Sequence, residues 1–165
     1  MIIAAENYID SIMKMLKLCK KDMLIKGNSQ WDADYPDKKT LIEDIKKENL
    51  YVIMDKEECI AMICLNEDQS PEYKKLKWEL NDENALVVHR LAINPIHQGK
   101  GLGKKIMEFV EEHGLSNGYK SVRLDTYCEN EIAINFYEKC GYNIIGEVNF
   151  EGKHLPFKCF EKILK

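Results

Sequence analysis

At 165 residues the chain has the length of one ordinary domain, with little room for a second independent core. Apolar residues at 45% and charged residues at 32% mark a folded globular chain and exclude wholesale disorder. The 24 basic and 28 acidic residues leave a net charge of −4, which argues against bulk nucleic-acid binding but not against a local basic pocket for a small anion.

The chain opens on Ile2-Ile3-Ala4-Ala5, ahead of the first helical pattern. Over 7–26, apolar residues at Ile9, Ile12, Met13, Leu16 and Met23 follow helical spacing, with Lys14, Lys17, Lys20 and Lys21 on the wet side. Turn signals follow at Gly27-Asn28-Ser29 and Tyr35-Pro36-Asp37, and Leu41, Ile42 and Ile45 predict a second, shorter helix. Residues 51–54 and 60–65 read as two strands joined through Asp55-Lys56-Glu57-Glu58 as a hairpin. The stretch 66–83 is polar and irregular, with Trp78 as its large apolar residue. Residues 85–93 form a nearly continuous apolar strand, interrupted by His89 and Arg90 and ended by Pro95.

After the Gly-rich segment 98–103 a helix starts near Leu102, with Ile106, Phe109 and Val110 on one face and Glu108, Glu111 and Glu112 on the other. Gly114 or Gly118 stops it. A strand is expected over 121–126, then a helix over 130–140 with Asn130 as N-cap and Gly141 just past its end. Two strands, 142–148 and 155–164, close the chain around Glu151-Gly152-Lys153. Alternation in the second half predicts α/β packing, with antiparallel hairpins at both ends of the sheet.

No apolar run approaches the ~20 residues of a membrane helix, and residues 1–10 lack the regions of a secretory signal, so no membrane partner and a cytoplasmic location are expected. Cys19, Cys59, Cys64, Cys128, Cys140 and Cys159 contain no C-x-x-C pair and read as reduced, buried thiols. The histidines, at 89, 97, 113 and 154, have no metal-ligand spacing, so no metal is implied.

The most informative segment is Gln98-Gly99-Lys100-Gly101-Leu102-Gly103, placed between a strand and a helix. Glycines let several backbone N–H groups turn toward one point, and a helix N-terminus adds partial positive charge. Lys100, Lys104 and Lys105 are near enough in sequence to reach phosphate oxygens. A P-loop would need G-x-x-x-x-G-K-[ST], but Gly99 to Gly103 is one residue short and Lys104 precedes Lys105. A dinucleotide fingerprint would need G-x-G-x-x-G, and the third position counted from Gly101 is Ile106. The pattern Q-x-x-G-x-G after R-L-A-I-x-P fits residue for residue, and a tight turn without a ligand is the plainer alternative.

His89-Arg90-Leu91-Ala92-Ile93-Asn94-Pro95 followed by the Gly-rich segment resembles the acetyl-CoA signature of the GNAT superfamily of N-acetyltransferases. Asn130-x-x-Ala133-x-x-Phe136-Tyr137-x-x-x-Gly141-Tyr142 resembles that superfamily's second block. The resemblance implies an α/β (α+β) fold: a single GNAT-like domain over 1–165, with a mixed, twisted sheet, helices on both faces and splayed central parallel strands. It implies acetyl-CoA as co-substrate, its pyrophosphate on Gln98, Gly99, Lys100, Gly101, Leu102, Gly103 and Lys104, and its pantetheine arm paired with Leu91, Ala92 and Ile93. Backbone N–H groups of that strand would then stabilise an acyl oxyanion.

By the same resemblance Tyr137 is the general acid that protonates the leaving thiolate, a role suited to a phenol neutral at pH 7. The base is His89 or Asp125; the first has a suitable ordinary pKa, and the second stands where other members carry a glutamate. Asn130 and Asn135 match cofactor contacts. The early helices and their loop wall the acceptor, so Trp31, Asp32 and Tyr35 are candidate contacts for an amine, and 73–78 for a further wall. The expected reaction is direct acetyl transfer to a primary amine of a small molecule or peptide N-terminus, and the C-terminal strands imply a homodimer. A non-catalytic acyl-CoA-binding sensor is the alternative, and a nucleotide-binding α/β protein a weaker one.

Overall fold

The computed structural model describes residues 1–81 and 84–165, so the end of the polar stretch expected over 66–83 lies outside the described residues. In chain order the elements are β1 (Ile2–Ala4), α1 (Ile9–Ile25), α2 (Lys38–Lys46), β2 (Leu50–Asp55), β3 (Glu58–Asn66), β4 (Ala85–Ile93), α3 (Leu102–Ser116), β5 (Ser121–Tyr127), α4 (Glu131–Lys139), β6 (Asn143–Val148) and β7 (Phe157–Ile163). Short 3₁₀ turns occur at Pro71–Lys75 and Pro95–His97. Backbone pairing orders the strands β1-β2-β3-β4-β5-β7-β6. β1, β2 and β3 pair antiparallel, as do β5, β7 and β6, while β4 runs parallel to β5. The antiparallel ends are those expected from the element order, and the parallel pairing of β4 with β5 agrees with the parallel central strands that the resemblance implies. The residues divide into two compact units, Met1–Leu65 with His89–Phe109, and Asn66–Val88 with Val110–Lys165.

In the first unit, Ile12, Met15, Leu16 and Cys19 form the buried stripe of α1. Their i, i+3, i+4, i+7 spacing puts them on one side of the helix. They pack with Leu41 of α2, Leu50 and Val52 of β2, Met62 and Cys64 of β3, and Ala92 of β4. This corrects the sequence expectation, because Met13 and Met23 are only half-buried and Met15 and Cys19 take the core positions. β3 is buried without a break from Cys59 to Leu65, so it reads as a continuous apolar run and not an alternating one. Asp37 caps α2 by accepting from the Thr40 amide at 2.8 Å and the Thr40 hydroxyl at 2.6 Å.

In the second unit, Tyr73, Val87, Tyr127, Val148, Phe157 and Cys159 form a core cluster. The 66–81 segment is anchored by polar contacts as well as by apolar ones. Arg123 (4% exposed) donates to Glu161 (0%) at 2.9 Å, to the Leu80 carbonyl at 2.6 Å and to Gln69 at 2.8 Å, and stacks 4.3 Å from the Trp78 ring. Glu161 also accepts from Ser121 and from the Glu79 amide, so the buried charges are hydrogen-bonded on both sides. Tyr73 is more deeply buried than Trp78, which the sequence had made the large apolar residue of this stretch.

Gly114 does not end α3. It lies inside the helix, where a Cβ would come 2.7 Å from Leu164 Cδ1; Gly118, at φ +80, stands past the end. All six cysteines are free, with Cys19, Cys59, Cys64 and Cys159 buried and Cys128 and Cys140 half-buried. Among the described residues no helix is long and apolar enough to cross a membrane, and no group of side chains could hold a metal ion.

Candidate active site

In the first unit, β4 ends at Ile93 and the chain turns through Pro95–His97 into the Gly-rich loop. Asn94 fixes that turn by accepting from the Ile96 amide at 3.2 Å. Gly99 and Gly101 have φ +73 and +79, and a Cβ on either would meet nothing within 4 Å. Backbone conformation, not crowding, therefore calls for glycine there. Lys105 donates to the Gly101 carbonyl at 3.2 Å, so the amides of Leu102, Gly103 and Lys104 precede the first donor of the helical ladder. Such amides make an anion cradle. Gln98, Gly99, Lys100, Gly101, Lys104 and Lys105 are exposed around it. Lys104 lies 3.7 Å from Glu108, an exposed pair that holds it weakly.

Leu91, Ala92 and Ile93 form the last part of β4, and the Ile93 carbonyl accepts from the Gln98 side chain at 3.1 Å and from the Cys19 thiol at 3.5 Å. Gln98 thus ties the loop to the strand, a link that its place in the signature did not disclose. Arg90 has φ 50, inside a strand. This left-handed residue breaks regular alternation, so spacing alone no longer places His89 and Leu91 on one face. His89 is half-buried where β4 passes from the second unit to the first.

Trp31 is half-buried and packs on the first unit's core. Asp32 Oδ1 accepts from the amides of Asp34 and Tyr35 at 3.0 and 2.8 Å, which shapes the loop. Lys20 donates to the carbonyls of Ala33 and Pro36 at 3.1 and 3.0 Å. Burial pulls its pKa down from the usual lysine value against the opposing charges of Asp32, Asp34 and Asp37. Tyr35 is exposed, and its hydroxyl accepts from Arg90 at 2.9 Å.

In the second unit, α4 starts at the Asn130 cap, whose side chain accepts from the Ala133 amide at 3.2 Å. The cap role foreseen for Asn130 is therefore present, while Asn135 is exposed on the same helix. Tyr137 is 7% exposed and stacks on Phe136, Tyr142 and Phe160, with ring centres 5.3, 6.2 and 5.6 Å away. Burial, then the charge of Asp125, pushes its phenol well above the ordinary tyrosine value. It is a neutral donor at any physiological pH.

Asp125 accepts a hydrogen bond from the Tyr73 hydroxyl at 2.7 Å, and burial raises its pKa to about 6 against the lowering effect of that bond. Asp125 and Tyr137 are thus electrostatic neighbours in the second unit. The sequence offered 73–78 only as a further wall for the acceptor; the bond of Tyr73 to Asp125 stayed hidden because Tyr73 sits in an irregular stretch, 52 residues from its partner. The second unit thus holds a buried, neutral phenol and a carboxylate with a pKa of about 6, and the first unit holds, by itself, a loop whose helix-end amides suit an anion.

The Acetyltransferase (GNAT) family model matches residues 10–142. The uncharacterized N-acetyltransferase YesJ of Bacillus subtilis is 27% identical over 156 residues, which is 93% of this chain and 83% of that protein. The spermine/spermidine N(1)-acetyltransferase of the same bacterium is 34% identical over 90 residues, covering 53% of this chain and 56% of that protein, so the match spans about half its length. A solved GNAT-family acetyltransferase from Streptococcus agalactiae superposes with a TM-score of 0.88 at 24% identity, over 100% of this chain and 95% of that one, a likeness of fold.

Proposed function

Since the chain belongs to the GNAT family of acetyltransferases, we propose that it moves the acetyl group of acetyl-CoA directly to a primary amine, in a ternary complex and without a covalent enzyme intermediate. The observation that carries this reading is the loop of Gly99 and Gly101, at φ +73 and +79, which leads from the strand of Leu91–Ile93, through the turn at Pro95–His97, into α3. It suits a pyrophosphate, held by backbone amides from Gln98 to Lys104 with Lys100 and Lys104 beside them. Acetyl-CoA, when bound, supplies the thioester.

The chain's own groups orient the reactants and move two protons. Leu91, Ala92 and Ile93 offer backbone groups to an amide-bearing arm, and Asn130 and Asn135 add side-chain contacts. The incoming ammonium loses its proton to His89 or Asp125, directly or through a water. As the new C–N bond forms and the C–S bond breaks, Tyr137 gives its proton to the leaving sulfur.

The acceptor is a cationic amine, a class to which spermine and spermidine, named for the Bacillus subtilis relative, belong. The carboxylates of Asp32 and Asp34 on the loop after α1 support that choice, since an ammonium is attracted to exposed acidic groups. A catalytic domain spanning 1–165, a homodimer through β6 and β7, and a cytoplasmic location complete the reading. The test is release of free CoA thiol when acetyl-CoA is mixed with a panel of polyamines, small amines and peptide N-termini. Release with at least one amine supports the proposal; saturable binding with no release for any amine points instead to a sensor of acyl-CoA.

A further inference from the structure

Three described non-glycine residues have positive φ: Glu48, Lys56 and Arg90. The first two sit in turns, and Arg90 alone of them lies inside a strand. A bulky side chain keeps that conformation only where its surroundings over-determine it. Those surroundings belong to the first unit. Arg90 Nε donates to Asp44 Oδ2 at 2.9 Å and Nη2 to Asp44 Oδ1 at 2.8 Å, a two-pronged grip with the side chains only 12% and 9% exposed. Nη2 also lies 3.2 Å from the Cys64 sulfur, and Nη1 donates to the Tyr35 hydroxyl at 2.9 Å. Asp44 belongs to α2, and Tyr35 to the loop between α1 and α2. Leu91, the next residue along β4, begins the segment read above as the cofactor strand.

We propose that Arg90 is a positioning residue that locks the loop of Trp31, Asp32 and Tyr35, together with α2, to the strand running from Leu91 to Ile93. This rests on the reading of that loop as the acceptor wall. One planar guanidinium reaches two elements because its donors diverge in a fixed fork; a lysine ammonium at the same place cannot grip both carboxylate oxygens and the phenol together. Tyr35 then acts on the acceptor through Arg90, its hydroxyl being engaged, and a second tie at Lys20 keeps the rest of the loop in place.

The test uses Tyr35→Phe, Arg90→Lys and the double variant of the full chain. Hydrogen–deuterium exchange of the free protein is followed over residues 28–37 and 88–93, and steady-state kinetics use the amine that the wild type acetylates best. Tyr35→Phe is expected to speed exchange in 28–37 and to raise the amine KM roughly three- to tenfold, the worth of one hydrogen bond, with kcat and the acetyl-CoA KM within about twofold. Arg90→Lys moves the same quantities further, and the double variant is no worse than Arg90→Lys alone, because both changes cut one connection. Effects that multiply, or exchange and amine KM left unchanged by Tyr35→Phe, overturn the proposal. If Arg90→Lys does not fold, exchange and kinetics of Tyr35→Phe decide alone. An inactive wild type would overturn the acetyl-transfer reading, while the exchange comparison still tells whether the lock exists.

Discussion

The hydroxyl of Tyr73 donates to Asp125 Oδ2 at 2.7 Å. Burial disfavours the charged carboxylate and raises Asp125 from its usual 3.8 to about 6, and the Tyr73 bond pulls the other way. Removing that bond with Tyr73→Phe therefore raises the Asp125 pKa further. If Asp125 takes the ammonium proton, the acid limb of the kcat/KM profile moves to higher pH in this variant. A limb that stays in place assigns the base to His89.

The same shift makes a stability prediction. The folded chain prefers neutral Asp125, so this group favours folding below its unfolded pKa, and that advantage is lost as pH rises through about 6. Asp125→Asn removes the charge but keeps an oxygen that can accept from Tyr73. The variant should gain stability over wild type at about pH 8, on the order of 1–3 kcal/mol, and far less at about pH 4.5. Thermal melts at both values check the difference.

Tyr137→Phe removes the proposed proton donor and leaves the ring packing on Phe136, Tyr142 and Phe160. Acetyl-CoA affinity should stay within about twofold while kcat falls by ~10²–10⁴. Unchanged turnover would remove Tyr137 from the mechanism.

Gly99→Ala and Gly101→Ala test the loop. A Cβ at either site has open space, so the cost comes from the left-handed backbone alone, about 1–2 kcal/mol at each. Part of it should appear as a higher acetyl-CoA KM, with the amine KM little changed. Isothermal titration with CoA measures this without turnover.

Thiol chemistry checks the cores. Burial raises Cys19, Cys59 and Cys64 to about 12, so they remain protonated at about pH 8, where a thiol reagent needs thiolate. Cys128 and Cys140, both half-buried, should react first in the native chain, and the four buried thiols only on unfolding.

Much of this was legible in the sequence because the signals were local. The bounds of β4 match the expected 85–93, since an unbroken apolar run ended by Pro95 admits little else. The α4 boundaries follow from Asn130 and Gly141, both local conformational signals. Side-chain periodicity served α1 less well: Met13 and Met15 are equally apolar, and only the packing partners choose Met15 for the core. Contacts distant in sequence stayed hidden. Tyr73 meets Asp125 across 52 residues, and Arg90 meets Asp44 across 46 and Tyr35 across 55. Gly114 looked like a helix stop because close packing against Leu164 demands the same residue as a turn does.

The most direct test of direct transfer uses acetyl-CoA labelled in its acetyl carbon, incubated with the full chain with and without an amine that is turned over. The account predicts that label passes to the amine only when both substrates are present, with none held covalently by the protein in the amine's absence. Label on the protein that later moves to the amine would contradict direct transfer, and label that never leaves CoA with any amine would contradict acetyl transfer itself.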